Sequence, residues 1–346
     1  MNKLIIMLLA LLPCALLAQP KRITVRQAGM SYYYTTVDSA YFYAQSGDTL
    51  IFPGGDFPVP PGNNGWLINR RLHILGAGYR PDSSAGTGAT RIIGLVTLGN
   101  AADGGSVHGI HFMQNMNFQD TLSNYLINRC AITEWVELSP NSHHITFRES
   151  MIFKASNNYH CFYGENASHV TFFNCIFYNG MQEVGQGSVF ENCIFHVSSI
   201  TTCNYASFKN CIFINNYGIG NYSGYNTYVN CIFPNAPNIS GTNSTFNCIN
   251  NANMANMFFN ISNANIISNN YRLKPNTPGG PGGPAYTNPA IGAGINGTDC
   301  GVYGGAFPLK PNAHPIHPRI KSLIVAPATD ANGNLNVQVK VEAQNN

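Results

Sequence analysis

Through its middle third the chain alternates apolar and polar positions in short bursts, and one burst recurs almost unchanged. Phe172-Phe173-Asn174-Cys175-Ile176-Phe177 returns as Phe190-Glu191-Asn192-Cys193-Ile194-Phe195, then as Phe208-Lys209-Asn210-Cys211-Ile212-Phe213 and Tyr228-Val229-Asn230-Cys231-Ile232-Phe233. A degraded copy follows at Phe246-Asn247-Cys248-Ile249, and weaker ones precede it at 145–152, 126–132 and 107–112. Successive cysteines lie 18, 18, 20 and 17 residues apart. A fixed period of this size marks one supersecondary unit stacked on itself. Helical repeats need about 33 residues or more. The Leu-x-x-Leu-x-Leu frame of leucine-rich repeats does not occur. A coil of this length, built from two or three short strands, predicts one turn of a parallel β-helix.

Strand periodicity assigns the faces. In the phrase Phe-x-Asn-Cys-Ile-Phe, the two Phe and the Cys point inward, Ile points outward, and Asn stands at a sharp bend. Equivalent residues on successive coils then lie about 4.8 Å apart. We expect an Asn ladder in which each side-chain amide bonds the next. The cysteines form an inward thiol ladder whose spacing exceeds the roughly 3.5–4.5 Å between Cβ atoms of a disulfide, so they read as buried free thiols. No C-x-x-C pair occurs, and no metal site is expected. Ile176, Ile194, Ile212 and Ile232 would form a bare outward stripe, which soluble proteins rarely leave open. The C-terminal hairpin, a long loop or a second molecule is expected to cover it, self-association among these.

Both ends of the array carry further motifs. The start holds an amphipathic stretch from Val37 to Ala44, then Gly47-Asp48-Thr49-Leu50-Ile51-Phe52-Pro53-Gly54-Gly55. The end holds Asn288-Pro289-Ala290-Ile291-Gly292-Ala293-Gly294, then Thr298-Asp299-Cys300-Gly301-Val302-Tyr303-Gly304-Gly305. With the repeat, these phrases resemble the secreted right-handed parallel β-helix proteins of the pectin-lyase-like superfamily, over about residues 22–305. The resemblance implies an all-β, right-handed parallel β-helix (solenoid) with a short N-terminal cap helix. A C-terminal β-hairpin tail is expected from strand-like alternation on either side of Asp330-Ala331-Asn332-Gly333. The expected division is 1–18 signal peptide, 19–305 β-helix with its cap, and 306–346 Pro-rich linker and tail. His314 and His317 read as linker, and the Gly/Pro stretch 275–284 as a loop.

The signal peptide rests on Lys3, an apolar run over 4–18 broken by Pro13, and Ala18 before Gln19 and Pro20. The run falls short of the roughly 20 residues of a transmembrane helix, and no later segment is long and apolar enough. Cys14 is not read as a lipidation site, because Pro13 precedes it and an apolar stretch follows. The expected location is therefore secreted or cell-surface.

Charge decides what such a scaffold can do. Only 10% of residues are charged and the formal net charge is +3, which argues against nucleic acid as a partner. The resemblance implies lyases that use acidic calcium ligands and a basic residue, or hydrolases that use closely placed aspartates. Between residues 105 and 260 this chain offers one aspartate, Asp120, and four basic residues, Arg129, Arg148, Lys154 and Lys209. That supply opposes the usual chemistry, leaves calcium without support, and predicts no cofactor. The residual constellation lies on the strands preceding the repeated phrase. Glu137, His160 and Glu183 are candidate acid/base groups, and Trp135, Tyr159 and Tyr163 candidate ligand-stacking rings. Tyr205, Tyr217, Tyr222 and Tyr225 would continue that row. The reading is an exported, non-catalytic β-helix module that binds carbohydrate or serves a structural role. The alternative is a polysaccharide-degrading enzyme with an atypical site.

Overall fold

A computed structural model describes residues 21–60, 65–80, 88–119, 121–154, 160–196, 199–215, 223–236, 242–261, 266–278, 285–310 and 319–342. The signal-peptide segment, Tyr159, Tyr217, Tyr222, Asp120, His314 and His317 lie outside these. The chain forms a parallel β-solenoid of about eight turns. Three sheets run along it: a first of twelve strands, a second of eight and a third of seven. The coils from the first to the seventh contribute one short strand to each sheet and the last ones fewer, so a residue's partner is its equivalent one coil away. Phe172, for example, pairs with Phe147 on one side and Phe190 on the other.

Inward positions build one continuous core. Phe147, Phe172, Phe190, Phe208 and Tyr228 stack at centroid spacings of 4.6 to 5.0 Å, as do Phe177, Phe195, Phe213 and Phe233 at 4.6 to 5.2 Å. These spacings match the inter-strand distance, which is what in-register pairing dictates. Cys175, Cys193, Cys211 and Cys231 are fully buried and unpaired. Burial pushes the thiols of Cys193, Cys211 and Cys231 well up, and those of Cys130, Cys161 and Cys203 to about 12.

The Asn bend is as anticipated, but its bonding is not. Asn174, Asn192, Asn210, Asn230 and Asn247 all have φ between 52° and 55°, the left-handed region that Asn tolerates better than most side chains. Among the described residues only one hydrogen bond links two of them, from Asn210 Nδ2 to Asn192 Oδ1 at 3.4 Å. The coil step exceeds a hydrogen bond, and a late segment offers closer acceptors. Asn230 donates to Ala293 O at 2.7 Å, Asn192 to Asp299 O and Gly301 O, and Asn174 to Val302 O and Gly304 O.

That segment, residues 288–310, is a strap running back along the solenoid. With the antiparallel pair Phe258–Asn260 and Asn270–Leu273, it covers the outward row of the second sheet. Ile176, Ile194, Ile212 and Ile232 are consequently fully buried, in one cluster with Tyr271, Ala290, Cys300, Val302 and Leu309. The stripe is covered by its own chain, so it is not a surface for self-association. The cover is also not the C-terminal hairpin. Gly301 is required where the strap lies closest: its φ is +81°, and a Cβ there would stand 2.7 Å from Ile212 Cδ1. The strap reaches as far as Lys310, whose N–H donates to Glu149 Oε2 at 3.2 Å. There Arg129 and Glu149 occupy the bend positions that Asn fills in later coils, and form a buried ion pair at 3.0 Å.

At the amino end, Ile23–Gln27 and Met30–Tyr34 form an antiparallel pair beside the first coil. Helix α1 (Val37–Tyr43) buries Val37 and Ala40 there, with Thr36 Oγ1 capping it by accepting from Ser39 N. At the carboxyl end, Arg319–Val325 and Val337–Glu342 form the expected hairpin. Its turn is held by Asp330, which accepts from the Asn332 and Asn334 amides.

Candidate functional site

The third sheet carries the residues singled out from sequence. Its inward row is Val96, Met116, Val136, Phe162, Met181 and Ile200, all fully buried. Alternation then places Thr97, Asn117, Glu137, Tyr163, Gln182 and Thr201 outward, each paired with the next. At about 4.8 Å per coil this row runs about 24 Å. Five of its six members are uncharged and can hydrogen-bond.

At one end the row opens into a cleft of about 310 Å³, lined by Thr97, Asn117, Glu137, Glu165 and the loop from Leu138 to Pro140, among others. Asn117 Oδ1 is buried there with no hydrogen-bond partner among the described residues, an acceptor that a ligand hydroxyl or amide would satisfy. Glu137 sits directly opposite Tyr163 on the next coil.

His160 begins the strand that ends in Tyr163, and its ring lies 5.8 Å from the Tyr163 ring, edge to face. A bulge between His160 and Phe162 shifts the register. Gly180 is the partner of His160, and a Cβ there would meet His160 Cδ2 at 2.8 Å. The missing side chain lets the imidazole lie across the sheet toward the following coils. Its Nε2 stands 3.4 Å from Ser199 Oγ and 3.3 Å from Thr201 Oγ1. Burial lowers the His160 pKa, opposed by the nearby Glu183 carboxylate. Glu183 follows Gln182 at a bend with φ 56°, and its Oε1 accepts from Gln182 Nε2 at 2.5 Å.

The six sequence candidates thus divide. Glu137 and Tyr163 belong to the outward row, while His160 shares the Tyr163 strand and feels the carboxylate of Glu183 on the next coil. The His160 ring is directed away from the coil of Glu137. Trp135 precedes its strand, and the Lys154 ammonium lies over its ring at 4.5 Å. Tyr159 lies outside the described residues. Among the described residues, no group of three His, Cys, Asp or Glu side chains converges as a metal site would require. Tyr205 and Tyr225 do not continue the row. They stand at the corner before the first sheet, with φ of 57° and 59°, and their rings stack 4.7 Å apart at 1°. The faces they turn to each other are therefore closed to a ligand.

Sequence reasoning missed Thr97, Asn117, Gln182, Ser199 and Thr201. A signal existed for part of the row: Thr97, Asn117 and Glu137 are 20 residues apart in steps, the length of one coil.

The fold and the row together define a parallel β-solenoid with a polar outer sheet. Comparison with family profiles, with curated proteins and with solved structures found no match to this chain.

Proposed function

We propose that this is an exported, non-catalytic β-helix module of pectin-lyase-like type that binds an extended polysaccharide along its third sheet. The observation that carries the reading is the straight row of Thr97, Asn117, Glu137, Tyr163, Gln182 and Thr201, held in register at the coil spacing. A linear polymer of pyranoses presents hydroxyls at a comparable repeat. Amides and hydroxyls answer these without net charge, and the Tyr163 ring adds a flat apolar surface. The cleavable leader at residues 1–18 would place the module in the secreted or cell-surface compartment where such polymers occur.

A polysaccharide-degrading enzyme is the second reading, favoured by Glu137 and Glu165 lining one cleft, since glycoside hydrolysis uses paired carboxylates. One experiment separates the two. Mature protein is screened on a glycan array, its best ligand is titrated by calorimetry, and the ligand is then analysed for cleavage. Binding without cleavage, weakened about tenfold by Tyr163→Ala or Gln182→Ala, is expected; tenfold corresponds to about 1.4 kcal/mol. Cleavage products lost in Glu137→Gln would overturn it in favour of the enzyme. Binding unchanged in both row variants would remove the third sheet as the site.

A further inference from the structure

Among the described residues, the coil stack is covered at its start and uncovered at its end. At the start, α1 and the antiparallel pair lie against the first coil. At the other end the first sheet finishes with Ser244–Phe246, paired on one side only, with Thr227–Val229. All three of its residues are exposed. Thr245 nevertheless occupies an inward position, because register sets it against Tyr228, the last fully buried ring of the Phe column. Among the described residues nothing covers it. Phe246 beside it is 55% exposed, and Cys248, last in the thiol column, is only half-buried.

An open edge of this kind is normally blunted by charge, proline or a bulge. This one is not. No charged residue occurs between Lys209 and Arg272, and the pairing of Ser244–Phe246 is regular. Among the described residues the hairpin of this chain does not cap it, since Ser244–Phe246 stay exposed. The strap lies beside Asn230 at Ala293 and then runs away from the open end, reaching Glu149 at Lys310. The hairpin therefore follows from a point several coils back along the stack.

We propose that the Ser244–Phe246 edge docks a second copy of this chain, strand against strand about a two-fold axis. Two identical strands meeting across such an axis pair antiparallel, and each supplies the backbone partners that the other lacks. The two bare core columns then lid one another, and no like charges oppose the approach. Head-to-tail stacking offers less, since the opposite end already carries α1 and presents no bare column. The two-fold arrangement also uses up the edge, so assembly stops at the dimer.

The test is sedimentation velocity on the mature protein, with Thr245→Lys and Phe246→Lys as variants, and hydrogen exchange at Ser244–Phe246 over a dilution series. The expected result is a species of twice the monomer mass. Each lysine variant becomes monomeric with an unchanged circular dichroism spectrum, and the wild-type amides lose protection on dilution. A wild-type monomer at sub-millimolar concentration would overturn the proposal. So would a dimer that survives both variants, amides whose exchange ignores dilution, or a mass that grows without limit as in a filament.

Discussion

Two histidines buried on the second-sheet side make stability depend on pH over a window the structure defines. His111 shares a hydrogen bond of 2.7 Å with Thr133 Oγ1, and Arg91 is its charged neighbour. His196 shares one of 2.8 Å with the Tyr271 hydroxyl, which also accepts from Asn269, and the Tyr178 ring lies 4.6 Å away. Burial lowers each pKa from 6.5 to about 4, with Arg91 adding to the effect at His111. Above pH 6.5 both folded and unfolded chains hold these groups neutral, and their contribution is fully present. As pH falls from 6.5 to about 4 the unfolded chain takes up protons that the folded chain refuses, so stability falls. The gap corresponds to about 3 kcal/mol per histidine. His196→Asn keeps a polar atom facing Tyr271 and removes the titration. Urea unfolding followed by tyrosine and tryptophan fluorescence between neutral pH and about pH 4 should show a stability loss of about 6 kcal/mol in the parent and about half that in His196→Asn. A flat profile in the parent, or the same slope in the variant, would refute the assignment of a neutral, buried His196.

Arg129→Met should cost about 3–5 kcal/mol, because it leaves the Glu149 carboxylate buried without its counter-ion, whereas Arg129→Met combined with Glu149→Leu should recover most of the loss. Additive losses in that double-variant cycle would mean that the pair does not act as a unit. Cys175, Cys193, Cys211 and Cys231 should resist alkylation in the native protein and react after denaturation, which mass spectrometry of the labelled chain reads directly. Cys211→Asp should cost several kcal/mol, since a carboxylate in the dry column has no partner, and a melting temperature within a degree or two of the parent would contradict the inward register.

The coils were legible because their contacts repeat. Phe172, Cys175 and Phe177 meet the same residue types one period away, so a single chain displays its own register. The bend was legible in the later coils from Asn, which tolerates its φ better than most side chains, whereas Arg129 and Glu149 hold the same bend with nothing in their type to announce it. The strap was not. Asn174 reaches Val302 and Gly304 across more than 120 residues, and nothing in residues 288–310 repeats or alternates to announce that partner. The isoleucine row demanded a cover on physical grounds, yet gave no means to choose among candidates. The third-sheet row was half hidden for a different reason. Reading for ionisable groups found Glu137, His160 and Glu183, whereas most of the row is Thr, Asn, Tyr and Gln, which attract no attention singly. The step from Glu137 to its partner Tyr163 is 26 residues, which also breaks the 20-residue step that links Thr97, Asn117 and Glu137.

The late position of the strap in the chain imposes an order on assembly. Coils contact mainly their neighbours, so they can stack as the chain is synthesised, amino end first. The wall from Ile176 to Ile232 has only the pair Phe258–Asn260 and Asn270–Leu273 against part of it until residues 290–309 follow. A growing chain must therefore pass through a stage in which the rod is built and one flank is still aliphatic and wet, the kind of species that aggregates or recruits a chaperone. Closure then runs in the opposite direction to synthesis of the coils, from Ala293 beside the newest coil back to Lys310 beside an older one. A chain interrupted just before the strap would be a well-ordered solenoid with an adhesive side, so quality control on this protein bears on its final segment more than on its repeats.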